Sequence, residues 1–166
     1  MRFLTDSSWR GWLACAGSAV LLAVAANAYI FAVGTPTETS SGGTIAVTGP
    51  VGQVIATIVP FVWLFLYAGL GTAFWLVARG RPRIPAMAWA IIALLANCVA
   101  YPAYTDNFRN NDVALAGNVL TIGLAALAIG LVLPRSRAAA ALIFPVIAWV
   151  SIASVGLVAL MTSRTF

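Results

Sequence analysis

Trp63 and Tyr67 stand four residues apart in the stretch PFVWLFLYAGLG (60–71), so on a helix their rings share one face. Asn97 with Tyr101 one turn further on, Asn118 with Thr121, Asn27, and Trp149 with Ser151 add amides, hydroxyls and another indole in other apolar runs. The chemistry these types support is recognition, in which aromatic faces bury a ligand and a few polar groups orient it. Other chemistries fall away by composition. The chain has no histidine and its nine basic residues are all arginine, which excludes a histidine haem ligand, a histidine general base and a lysine Schiff base. Cys15 and Cys98 are isolated, at no metal-ligand spacing, and read as packing residues. No carboxylate falls inside an apolar run, which argues against a proton-coupled transporter built on buried acids. No catalytic residue and no metal site can be named, so the sequence leans away from an enzyme while leaving that question open.

The elements that must position these groups are membrane helices. Hydrophobic residues make up 62% of the chain and charged residues 8%, with a mean hydropathy of +0.99, against roughly 25% charged in a soluble domain. Five apolar runs, at about 11–33, 52–78, 84–105, 113–133 and 138–161, each suit a span of about 20 residues. They are separated by GTPTETSSGGTIAVTGP (34–50), RGRPR (79–83), DNFRNND (106–112) and PRSR (134–137), all turn or loop signals. The expected fold is all-α, a polytopic five-transmembrane-helix bundle forming one domain over 1–166. The first run contains a small-x-small pattern at Ala26 and Ala28 like a signal-peptide cleavage site, but it continues apolar through Val33 to full spanning length and is read as an uncleaved helix.

Charge orients the bundle. The N-terminal segment and the second and fourth connections carry seven arginines, Arg2, Arg10, Arg79, Arg81, Arg83, Arg135 and Arg137, and the other side carries Arg109 and Arg164. This positive-inside bias places the N-terminus inside and the C-terminus outside, which requires an odd number of spans. Arginines divided among short loops do not make a nucleic-acid surface, and an anionic leaflet is their natural partner. On this topology Trp9, Trp12, Trp75 and Trp89 fall beside arginines in the interfacial aromatic belt. Counted from Gly52, Trp63 lies roughly 16 Å and Tyr67 roughly 22 Å deep, below the belt. Amides at such depth are expensive unless bonded, and any one of them could serve only to join helices. Taken together they point to an aromatic pocket opening outward.

At these residues the sequence resembles the TspO/MBR family of tryptophan-rich sensory or translocator proteins. Pro60, Trp63, Leu66, Tyr67 and Gly71 match the pattern of its second helix, Asn97 and Pro102 that of its third, and Pro145, Trp149 and Ala153 that of its fifth. The relationship is divergent: the first loop lacks the family's tryptophans, Ala100 stands where a third-helix Trp is usual, and Val146 where a Tyr follows the fifth-helix Pro. The resemblance implies a membrane protein, commonly a homodimer, that binds porphyrin-type tetrapyrroles or other flat hydrophobic, sterol-like ligands for sensing or transport, as a receptor does. It implies stacking walls at Trp63, Tyr67 and Trp149, a polar anchor at Asn97 with Tyr101 beside it, space left by Ala153, and loop 34–50 as a lid. No cofactor is required on this reading; a porphyrin or lipid is the expected occupant, and a porphyrin would be metal-free or ligated from elsewhere. The implied location is a bacterial cytoplasmic membrane, with lipids and a hydrophobic small molecule as partners and no nucleic acid. The rival expectation is a small accessory subunit of a larger membrane complex, with no ligand of its own; on either reading small residues such as Gly123, Ala126 and Gly130 are expected to let helices approach closely.

Overall fold

The computed structural model describes residues 5–33, 50–108 and 110–163, with side chains for all of these except 30–33, 50–57, 106–108, 160 and 163. The lid expected over 34–50 lies, Pro50 apart, outside the described residues. Among those residues the chain forms five α-helices and no strand: α1 Trp9–Val33, α2 Pro50–Ala78, α3 Ala86–Phe108, α4 Asn111–Val132 and α5 Arg137–Ser163. All five are long and apolar enough to cross a membrane.

Their ends are set by short polar groups that take up otherwise orphaned N–H groups. Before α1, the Asp6 carboxylate accepts from the Ser8 N–H at 3.0 Å and from the Ser8 hydroxyl at 2.7 Å. These bonds, the backbone one first, hold the Asp6 carboxyl below its usual range. The Asn110 side chain accepts from the Asp112 N–H at 2.8 Å to start α4, and the Ser136 hydroxyl accepts from the Ala139 N–H at 3.2 Å to start α5. After α2 the chain turns through Gly80 at φ +69°, a conformation that glycine adopts without strain.

The helices close into a ring in the order α1, α2, α5, α4, α3, with α3 returning to α1. α2 and α3 also touch across the ring, so each has three neighbours, and α2 is the most enclosed of the five. α1 runs antiparallel to α2: the Trp12 indole N–H donates to Thr72 Oγ1 at 3.0 Å, and the Cys15 carbonyl lies against Gly71. The segment before α1 is strapped to the same end of α2, because Trp75 Nε1–H donates to the Asp6 carbonyl at 2.8 Å and the Gly80 N–H to the Thr5 carbonyl at 2.7 Å. Trp9 and Trp89 are exposed as belt residues would be, whereas Trp12 and Trp75 also use their N–H groups to fasten the bundle.

Close approach of helices occurs at glycines other than those the sequence suggested. A Cβ on Gly71 would stand 2.6 Å from the Cys15 carbonyl oxygen and 2.7 Å from Ala16 Cα. One on Gly69 would stand 3.3 Å from the Leu142 carbonyl oxygen, where α2 meets α5. Gly123, Ala126 and Gly130, which looked like helix-approach residues, lie on the exposed face of α4, and nothing comes within 4 Å of a Cβ built on Gly123 or Gly130. Small size permits approach but does not bring a neighbour.

Candidate functional site

Tyr67 and α3 are joined through a proline. Pro102 lies inside α3 and has no N–H, so the carbonyl four residues before it, that of Cys98, loses its helical partner. The Tyr67 hydroxyl donates to that carbonyl at 3.0 Å. In hydrocarbon a bare carbonyl is costly, and re-satisfying it from a neighbouring helix is what allows a proline there. Tyr67 is accordingly 3% exposed. Its ring also meets Trp63, with centroids 5.7 Å apart and planes tilted by 34°. Trp63 is half-buried and packs against the core.

Asn97 turns to α4 instead of α2. Its side-chain amide donates to Thr121 Oγ1 at 2.8 Å, and the Thr121 hydroxyl donates to the Gly117 carbonyl at 2.8 Å, so a threonine carries the amide's bond to the helix backbone. Gly117 also seats two rings: a Cβ there would stand 2.6 Å from Tyr104 Oη and 3.0 Å from Tyr101 Cε2. Tyr101 and Tyr104 meet edge to face at 5.4 Å and 66°, and the Tyr101 hydroxyl reaches the Ala114 carbonyl at 3.4 Å. Among the described residues the buried Tyr104 hydroxyl has no hydrogen-bond partner in standard geometry. Asn118 is buried on the same stretch of α4. Asn27, by contrast, donates to the Ala23 carbonyl of its own helix at 2.8 Å.

Counted from the end of the bundle that carries the 79–85 turn, the residues singled out in the sequence fall into two layers. Tyr67 is eleven residues before Ala78, Asn97 eleven after Ala86, Thr121 eleven before Val132 and Trp149 twelve after Arg137, a height of roughly 16–18 Å. Trp63, Tyr101, Gly117 and Ala153 follow at fifteen or sixteen residues, roughly 22–24 Å up. Trp149 is partly buried against the core and Ala153 is half-buried. Direct contacts link Trp63 to Tyr67, Tyr67 to α3, and Asn97 and Tyr101 to α4. Trp149 and Ala153 share the level without a hydrogen bond to the others among the described residues.

The depth of Trp63 depends on the end of α2 from which it is counted. α2 has 29 residues, or about 43 Å of helix, longer than a hydrocarbon core of about 30 Å is thick. With the core boundary at Ala78 and the helix upright, Trp63 stands about 8 Å beneath the far boundary, against about 16 Å counted from Gly52. Either count keeps it below the aromatic belt. A shallow groove of about 590 Å³, lined by Asp112, Leu115, Ala116, Val119 and Leu120, runs along the outer face of α4 and contains none of the residues that make up these layers.

Two features were hidden from the sequence reading: the Cys98 carbonyl as a hydrogen-bond acceptor, and Gly117 as a seat for tyrosine rings. The first was signalled by Pro102, which names the residue four before it. The second was signalled by a glycine in the helix after a tyrosine pair spaced three apart.

A ring of five apolar helices, with aromatic and polar groups layered at mid-depth and above, defines a polytopic integral membrane bundle. The chain belongs to the TspO/MBR family, whose profile matches residues 18–161, nearly its whole length. Membership suggests a membrane protein that binds tetrapyrroles or sterols in general, in a lipid environment. Neither a curated protein nor a solved structure matches the chain.

Proposed function

We propose that the protein binds a flat hydrophobic ligand, a porphyrin-type tetrapyrrole or a sterol-like molecule, in an aromatic pocket opening towards the outer surface, and serves sensing or transport. Family membership carries this reading. The placement of the residues supports it: half-buried Trp63 beside Tyr67, Trp149 at the Tyr67 level, and Ala153 a turn higher would supply two walls and a gap. Trp63 and Trp149 stack the ligand, Tyr67 backs Trp63 and locks it to α3, and Asn97 and Tyr101 orient polar groups from the α4 side. The reading includes a homodimer in a bacterial cytoplasmic membrane.

Stacking on an aromatic wall contributes roughly 0.5–1.5 kcal/mol beyond area burial, so Trp63→Ala or Trp149→Ala weakens binding by roughly two- to tenfold. The assay is quenching of intrinsic fluorescence by protoporphyrin in detergent, corrected for the lost indole, with a non-planar hydrophobe as comparator. Trp89→Phe, at an exposed position, leaves binding unchanged. Equal affinity in wild type and both alanine variants would mean that the rings only pack helices, and the accessory-subunit reading would take its place. That reading already has the satisfied bonds of Asn97 and Tyr67 on its side, and it requires a stoichiometric partner on copurification.

A further inference from the structure

The end of the bundle that carries the 79–85 turn gathers six arginines. Arg10, Arg79, Arg81, Arg83, Arg135 and Arg137 are all exposed there, because α2 and α4 finish and α1, α3 and α5 begin at that end. The one carboxylate among the described residues at this end is Asp6, and it is engaged by Ser8. The Arg79 guanidinium lies 4.8 Å from the Trp75 ring centroid, over an indole that is itself tied to the strap, so this cation is held in place by an interfacial ring.

The fold's own field is divided here: Arg79, Arg81, Arg83 and Arg135 follow the C-termini of α2 and α4, which favour cations, whereas Arg10 and Arg137 stand in the first turns of α1 and α5, which do not. The N-termini of α1, α3 and α5 present partial positive charge at this end, and none of the three has an acidic residue in its first turn. Arg137 even occupies the first turn of α5. At the other end α4 follows the usual arrangement, with Asp112 in its first turn. Six exposed arginines face one plane, the partial charges of three helix N-termini outweigh those of two C-termini, and Asp6 is the one carboxylate described there, so the net positive surface favours anions from outside the chain.

We propose that this end is a docking surface for the headgroups of anionic phospholipids in the adjoining leaflet. Charge complementarity identifies the occupant, and the position does too: the arginines emerge level with the exposed rings of Trp9 and Trp89, where lipid phosphates lie. The arginines are spread over separate connections around the helix ring, which suits a sheet of small headgroups.

The test uses the full chain in a neutral detergent, with phosphatidylglycerol or phosphatidylcholine of the same acyl chains added. Lipid retention is read by native mass spectrometry and stability by thermal unfolding. Phosphatidylglycerol is retained several-fold better and raises the unfolding midpoint more. The difference disappears at about 1 M salt, where the screening length is about 3 Å. It disappears also when Arg81, Arg83, Arg135 and Arg137 are all changed to Gln, and it survives when the same four are changed to Lys. Should the Gln variant not fold, the pairs R81Q/R83Q and R135Q/R137Q each reduce the preference. Equal retention of the two lipids by the wild type, or an undiminished preference in the Gln variants, would overturn the proposal. Equal stabilisation by inorganic phosphate would assign the surface to a free anion and overturn it as well.

Discussion

Pro102 removes a hydrogen-bond donor from the middle of α3, and a hydroxyl from α2 replaces it. The pairing makes Tyr67 more than a ring in a row of aromatics, and it can be tested as a unit. Tyr67→Phe keeps the ring and strands the Cys98 carbonyl, at a cost of about 0.6 kcal/mol and up to about 1.7 kcal/mol, the range for such bonds between membrane helices. Pro102→Ala returns an N–H to that carbonyl, so Tyr67→Phe costs less in its presence. A double-mutant cycle of unfolding free energies in mixed micelles gives a coupling of the same size as the bond. Additive effects would show that the 3.0 Å contact carries no energy of its own.

At the scale of elements, the five helices were legible because apolar runs of spanning length are rare by chance and their breaks are rich in Arg, Pro, Gly and Asn. Their arrangement was not. Helices with every face apolar carry little periodic signal as to which face is inside, so the glycines chosen from sequence, Gly123 and Gly130, are lipid-facing while Gly71 and Gly117 hold the contacts. The same loss explains why Asn97 could be placed in depth but not in direction: its level follows from counting residues, its partner Thr121 from a packing that the sequence does not print. The contrast yields an experiment. Gly71→Val drives a branched side chain into the α1 backbone, which cannot move aside as a side-chain tip would, and lowers stability by about 1–3 kcal/mol or more. Gly130→Ala meets nothing and is neutral or stabilising by up to about 1 kcal/mol through helix propensity. Thermal midpoints in one detergent rank the two variants on either side of wild type.

For the whole molecule, the positive-inside rule applied to the arginine distribution predicts an orientation in which the strap and the 79–85 turn face the cytoplasm. A reporter inserted at residue 40 then reads outside and one at residue 81 reads inside. The reverse pattern would place the aromatic layers nearer the inner surface and contradict the outward-opening pocket. The order of helices around the ring carries a further consequence, for biogenesis. α2 is made before α5, yet its flank at Gly69 is covered by α5, which leaves the ribosome after the other four described helices. Until then α1–α2 and α3–α4 can pair as hairpins, but the ring stays open on one side, with the Gly69 flank of α2 unguarded in the bilayer. Quality-control proteases that recognise incomplete membrane proteins thus have a window that closes only with α5, and a premature stop anywhere before it leaves a product that is inserted yet permanently ajar.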